Sequence, residues 1–177
     1  MKNRFVHFGL VLLVIAAISA GVLGLVNNFT KTVIAANNEK SQNAAKREVL
    51  ADAAKFVEEE AKEIDGLQFV PGYNDQGEIV GYVTTVASPG YGGDITFILG
   101  IKRDGQIAGL RIVNQSETPG LGAKIGDLSW QDHWIGKDAS YEFNKSTDAF
   151  AGATISPRAV YTGIIKALNA FKDGGMN

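Results

Sequence analysis

Hydrophobic positions along this chain follow three successive patterns. From Phe5 to Val26 no Asp, Glu, Lys or Arg occurs. As a helix rising about 1.5 Å per residue, that run spans about 33 Å, against about 30 Å for the hydrocarbon core of a bilayer. Lys2 and Arg4 precede it, and the first charge after it is Lys31. The positive-inside rule therefore predicts residues 1–27 as a cytoplasmic N-terminus and transmembrane anchor, with the remainder outside the cytoplasm. A cleavable signal peptide would have an apolar region of about 7–15 residues with a small-residue cleavage site close behind. Here the run is longer, and Ala35-Ala36 lies well past its end. Gly9, Ser19, Gly21 and Gly24 are small enough to let neighbouring membrane helices approach closely.

The second pattern is helical. Residues 28–43 are polar and Asn-rich and read as a stalk. From Ala44 to Ile64 the apolar residues Leu50, Ala53, Ala54, Val57, Ala61 and Ile64 recur at three- and four-residue spacing. Lys55, Glu58, Glu59, Lys62 and Glu63 fall on the opposite face, and Gly66 reads as the stop. Residues 28–64 are thus predicted as stalk plus amphipathic helix, and 65–177 as the folded domain.

The third pattern has period two. Asp75-Gln76-Gly77 is a turn signal before a β-rich stretch, Ile79–Val86; Ile95, Phe97, Leu99 and Ile101 alternate along a second strand. Asp104-Gly105 marks a tight hairpin into a third, Ile107–Val113. These predict an antiparallel meander with one face packed on helices, an α+β domain. Gln115–Ala153 is irregular and contains Trp130 and Trp134 at helical spacing, which predicts core anchors on a short helix. The last helix is marked by Ser156 as N-cap and Pro157 at its first position. An apolar stripe of Val160, Ile164, Leu168 and Phe171 follows, and Gly174-Gly175 ends it.

Composition narrows the chemistry. The net charge is −2, and outside Lys2 and Arg4 the remaining 15 basic residues face 19 acidic ones. Such a domain has no electrostatic footprint for nucleic acid. Cysteine is absent, which excludes disulfides, iron–sulfur clusters, thiolate zinc sites and a lipidated Cys. With only His7 and His133 as imidazoles, no metal site is expected. Redox chemistry would have to come from an organic cofactor.

Three segments stand out. In Asp148–Pro157, small Gly152 and Ala153 leave the Thr154 hydroxyl accessible just before a marked helix, whose N-terminus favours anions. Arg158 would add a charge-assisted contact, so a phosphate is well placed here. Read alone, the segment is a loop entering a helix, since small residues before a capped helix are common. No base lies near Thr154 in the sequence, so a self-activated nucleophile is not supported; a hydroxyl modified by another enzyme needs none. Glu117-Thr118-Pro119-Gly120-Leu121-Gly122 reads alone as a turn, with Pro119 holding Thr118 extended. Tyr91-Gly92-Gly93 reads alone as a loop, and neither GxxxxGK[ST] nor GxGxxG is present.

Taken in order, Gly90–Asp94, Asp104–Gly109, Glu117–Gly122 and Ala151–Ser156 resemble the FMN-binding domain of RnfG, the G component of the Rnf electron transport complex. The NqrC subunit of the sodium-pumping NADH:quinone reductase shares that domain. The likeness covers roughly residues 65–172, and the single anchor and short chain look more like RnfG. The resemblance implies FMN joined by a phosphoester to Thr154, the last residue of a Ser-Gly-Ala-Thr motif whose Gly152 and Ala153 are present here. A flavin transferase would make the bond from FAD with Mg²⁺, reading an acidic residue at the place of Asp148. Tyr91, Gly92, Ser156 and the segment Glu117, Thr118, Pro119, Gly120, Leu121 and Gly122 would contribute to the cofactor site. The chain departs from the motif at Ala151, where Ser is usual, which puts a hydrogen bond at the cap in doubt.

The expected function is that of an electron-carrying subunit of an ion-translocating ferredoxin:NAD⁺ oxidoreductase, with no catalytic site of its own. It would sit in the inner membrane among other Rnf-type subunits, with its FMN domain on the periplasmic or other extracytoplasmic side. A stand-alone anchored flavin carrier, or an anchored module without flavin, would carry the same architecture.

Overall fold

The computed structural model describes the backbone of residues 2–176 and the side chains of residues 4–27, 30 and 41–176. Its first element, α1, is Lys2–Val49. The chain divides into two units, one up to Lys40 and one from Ser41 onward. Within the first, Arg4–Asn27 has mean hydropathy 2.7 and no buried side chains. Apolar side chains such as Phe5, Phe8, Leu12 and Leu23 stand exposed. A helix this apolar and this long has the length and composition of a single membrane span. The stretch 28–43 read as a stalk falls within α1, and its side chains at 28, 29 and 31–40 lie outside the described residues.

The second unit is an α+β domain built on one antiparallel sheet. Its strands are β1 (Lys55–Phe56), β2 (Lys62–Ile64), β3 (Leu67–Tyr73), β4 (Ile79–Pro89), β5 (Asp94–Lys102) and β6 (Ile107–Asn114). The order across the sheet is β1-β3-β4-β5-β6, with β2 also pairing to β3. Helices α2 (Leu128–Asp132), α3 (Lys145–Asp148) and α4 (Ile155–Asp173) follow. The three strands expected from alternation are β4, β5 and β6. At the expected hairpin, Gly105 adopts φ +82° and its N–H donates to the Lys102 carbonyl at 3.0 Å.

The amphipathic helix expected to run to Ile64 is not formed: α1 ends at Val49. Lys55–Phe56 pairs instead with Gly72–Tyr73, and Lys62–Ile64 pairs with Leu67–Phe69. Gly66, expected as a helix stop, belongs to a hairpin. Asp65 and Gly66 have φ +52° and +73°, and they join Ile64 directly to its partner Leu67. Two positive φ values are what a tight two-residue turn between twisted strands demands. The backbone edge of β3 outcompetes the helix because its N–H and C=O groups would otherwise be unpaired. The apolar set is used only in part: Leu50, Ala53 and Ala61 pack in one cluster with Phe56, which the helical spacing did not include, while Ile64 packs against a different cluster. Strand β3 has no clear sequence signal because Pro71-Gly72 breaks its pattern, although Pro71 sits opposite Tyr82 in the ladder.

Both faces of the sheet are covered. On the front, the α4 stripe Val160, Ile164, Leu168 and Phe171 packs with Phe69, Val86, Phe97 and Leu99. Each such side chain, fully buried, contributes about 1.5–3 kcal/mol. On the back, Val49 and Leu50 meet Val70, Val83 and Ile98. Glycines on four adjacent strands make that seat. A Cβ at Gly100 would strike the Val49 carbonyl, and one at Gly109 would stand 2.7 Å from the Val49 Cα. One at Gly72 would lie 2.7 Å from Leu50 Cδ2, and one at Gly81 3.0 Å from Leu50 Cδ1. Trp130 and Trp134 are buried core anchors, as their spacing suggested.

The close seat predicts that Gly100→Ala lowers unfolding stability by about 1–3 kcal/mol through overpacking. Gly126→Ala, at an exposed position with open space around the added methyl, should be near neutral. Denaturant unfolding of the two variants beside the parent checks both.

Candidate functional site

Antiparallel pairing brings two connections to one end of the sheet, and the start of α4 meets them there. The end of β4 and the start of β5 meet at Pro89↔Asp94, and the end of β6 lies beside them at Thr96↔Asn114. The loop from Gly90 to Gly93 is closed by Gly90 N–H donating to the Gly93 carbonyl at 2.9 Å. After β6, Gly120 at φ +75° lets Leu121 and Ala123 both donate to the Thr118 carbonyl. Before α4, Gly152 at φ +79° folds the chain back so that Ala153 N–H donates to the Phe150 carbonyl at 3.0 Å.

Glu117 ties these loops together. Its carboxylate accepts from Gly92 N–H at 2.9 Å and from the Ser156 hydroxyl. The side chain is 5% exposed. The flanking glycines leave no slack: a Cβ at Gly90 would meet Glu117 Oε1, and one at Gly122 would lie 2.7 Å from Glu117 Oε2. Glycine is needed at these positions to let the carboxylate in.

The result is a cavity of 420 Å³ lined by Tyr91, Glu117, Thr118, Leu121, Gly122, Gly152, Ala153, Thr154, Ile155 and Ser156. That size suits a small-molecule cofactor. Of the residues expected from the sequence, Gly92, Pro119 and Gly120 are absent from this lining and shape the loops behind it. Ile155 was not anticipated; its side chain is exposed beside Leu121 and Tyr91. A hollow of 480 Å³ beside Lys62, Glu78, Arg103 and Met176 is larger, but it brings none of the glycine-rich segments together.

Helix α4 begins two residues earlier than its sequence signals suggest. Thr154, not Ser156, is the N-cap, and its side chain makes no capping hydrogen bond. Ser156 lies inside the first turn of the helix, and its hydroxyl donates to Glu117. The first helical bond is Arg158 N–H to the Thr154 carbonyl at 3.1 Å. Pro157 has no N–H, so the amides of Ile155 and Ser156 are the orphan donors of this helix end. A half-buried hydroxyl therefore stands at the cavity wall beside two unpaired amides, where the helix dipole favours an anion. No Lys or Arg is among the lining residues. The Arg158 guanidinium lies 4.7 Å from the centre of the Phe143 ring instead of at the expected anion position. Among the described residues no cluster could hold a metal ion.

Asp148 occupies a different setting. It is fully buried. Its oxygens meet His133 Nε2 at 2.7 Å, the Tyr141 hydroxyl at 2.9 Å, the Thr147 hydroxyl at 2.9 Å and Asn144 N–H at 2.7 Å. The Trp130 indole N–H donates to its carbonyl at 2.9 Å. Burial alone would raise the pKa of Asp148; the hydrogen bonds from Asn144, His133, Tyr141 and Thr147 outweigh it and hold the carboxyl below the usual range. His133 and Tyr141 have no such role legible in the sequence, since residues 15 and 7 positions away carry no local signal. The exposed methyl of Ala151 sits in the turn between Phe150 and Ala153.

Comparison with known proteins agrees with this geometry. Residues 90–169 match the family model described as FMN-binding domain, and residues 1–49 match that of the RnfG N-terminal region. The chain is 32% identical to the G subunit of the Na(+)-translocating ferredoxin:NAD(+) oxidoreductase complex of Acetobacterium woodii, covering 93% of this chain and 90% of that one. It is also 32% identical to the G subunit of the ion-translocating oxidoreductase complex of Methanosarcina acetivorans, covering 89% of each. The crystal structure of Shewanella oneidensis NqrC superposes with a TM-score of 0.52 over 70% of both chains at 18% identity, a likeness of fold.

The Asp148 network has a pH signature. A carboxyl held below its unfolded value near 3.9 adds stability above that pH and loses it as pH falls through the lowered folded value. Asp148→Asn should therefore cost about 2 kcal/mol at pH 7, as for hydrogen bonds to a charged group. The gap from the parent should narrow below about pH 4. Thermal unfolding of both proteins from pH 7 to pH 3 measures it.

Proposed function

The chain belongs to the RnfG family, the G subunits of Rnf-type ion-translocating oxidoreductase complexes, and on that footing we propose that it is an electron-transfer subunit carrying FMN by a phosphoester to Thr154. The observation that carries this is the Thr154 hydroxyl: uncapped, at the wall of the cavity, and next to the unpaired Ile155 and Ser156 amides. A phosphate esterified there takes its hydrogen bonds from backbone rather than from a cation, which suits a cavity without Lys or Arg. Tyr91, Leu121 and Ile155 supply apolar surface for a flat ring, and Thr118 and Gly122 supply close backbone. FMN, when bound, supplies one- and two-electron chemistry; the residues of this chain orient it and shield it.

A covalent bond suits a compartment where a dissociated cofactor would be lost. Lys2 and Arg4 before the apolar segment favour the N-terminus in the cytoplasm and the flavin domain on the extracytoplasmic face of the inner membrane. The partners are the other Rnf-type subunits, with electron exchange with ferredoxin and NAD⁺ taking place elsewhere in the complex. Maturation requires a flavin transferase. Asp148, the acidic residue of the attachment motif, is sealed in the folded domain, so the transferase reads it while the segment from Asn144 to Ala153 is undocked.

Intact mass tests the assignment on protein produced with a flavin transferase. Wild type should gain the mass of FMN less water, and Thr154→Val should fold but show no gain. Covalent flavin persisting in Thr154→Val would sink the attachment site. A well-folded wild type without the gain, beside a control substrate that is modified, would remove covalent FMN from this chain.

A further inference from the structure

Glu117 is the one acidic side chain lining the cavity among the described residues, and no basic side chain lines it. Its two hydrogen bonds come from neutral donors, Gly92 N–H and the Ser156 hydroxyl. It takes part in none of the ion pairs of the described residues. Both oxygens accept, as in an ionised carboxylate. A buried carboxylate normally has a cationic partner; here the compensation is dipolar only. The charge is held in place by its two hydrogen bonds, to Gly92 N–H and the Ser156 hydroxyl, and a Cβ at Gly90 or Gly122 would collide with it.

We infer that Glu117 is a fixed negative charge in the cavity wall that holds down the midpoint potential of the bound flavin. This rests on the reading that FMN occupies the cavity. Reduction by two electrons, supplied by a partner or an electrode, with uptake of one proton from solvent leaves the ring one unit more negative than before. A buried negative charge beside it opposes that change, and a low local dielectric strengthens the opposition. Glu117 is thus more than a tie between loops: its charge, and not only its shape, acts on the cofactor.

Glu117→Gln separates charge from shape. The amide oxygen still accepts from Gly92 N–H, and the amide nitrogen faces the Ser156 oxygen. Ser156→Ala does the reverse, keeping the charge and removing one of its two donors. Full-length wild type, both variants and the exposed-surface control Glu142→Gln would be made with the transferase, checked by intact mass and titrated spectroelectrochemically. The expected result is a retained mass gain in all four. Relative to wild type, the midpoint potential should be higher in Glu117→Gln, lower in Ser156→Ala and unmoved in Glu142→Gln.

Equal potentials in wild type and Glu117→Gln overturn the inference, as do shifts of the same sign in Glu117→Gln and Ser156→Ala. A folded Glu117→Gln without the mass gain also overturns it, since the residue would then govern attachment. If Glu117→Gln does not fold, an unmoved or raised potential in Ser156→Ala decides against it and a lowered one for it. A wild type without flavin defeats the FMN reading and this one together, whereas a flavinylated wild type with unmoved variants defeats only this one.

Discussion

Backbone rests on backbone where Val49 crosses Gly100 and Gly109, and the arrangement of the folded unit follows from that contact. With no side chains between them, the end of α1 sits against the back of the sheet and closes it. Ile98 is then buried behind the sheet while Phe97 and Leu99 are buried in front, so β5 runs through the interior with both faces dry. The front is covered by α4, with Ile125, Trp130 and Trp134 beside it. Its 19 residues lie across the strands with an unbroken apolar stripe, and this fixes where its N-terminus emerges.

That N-terminus is where the chemistry gathers. Two glycine-bearing loops arrive beside it because antiparallel strands return to the same end of the sheet, and the third, at Gly152, leads into the helix itself. One buried carboxylate ties them, through an amide of the first loop and a hydroxyl of the helix. Glu117 holds Ser156 within the first turn of α4, and at the N-cap the Thr154 side chain makes no capping hydrogen bond. A second buried carboxylate, Asp148, anchors the segment leading to the helix through four donors, His133, Tyr141, Asn144 and Thr147. The two acids divide the work: one shapes the cavity, the other holds the segment that leads into α4.

The departure from expectation at residues 50–64 has the same origin as the agreement at β4–β6. Leu50, Ala53 and Ala61 do pack together, joined by Phe56, but residues spaced for a helix can also cover a sheet through short strands and a turn. The deciding term was the unpaired edge of β3, which is itself hidden by Pro71-Gly72. Asp65-Gly66 carried the local signal for a hairpin, and its meaning depended on there being a strand on both sides.

From sequence alone came whatever depends on local period and composition: a charge-free span long enough for a bilayer, three alternating strands, a terminal helix with its stripe, and the exclusion of thiol chemistry. The order of four short motifs also resembled a family whose domain binds FMN. Tertiary structure alone decided which of these residues meet. Glu117 lies 25 residues from Gly92 and 39 from Ser156, and His133 lies 15 from Asp148. Hydrogen bonds across such separations leave no periodic trace in the chain; they exist only once the sheet has brought its loops to one end.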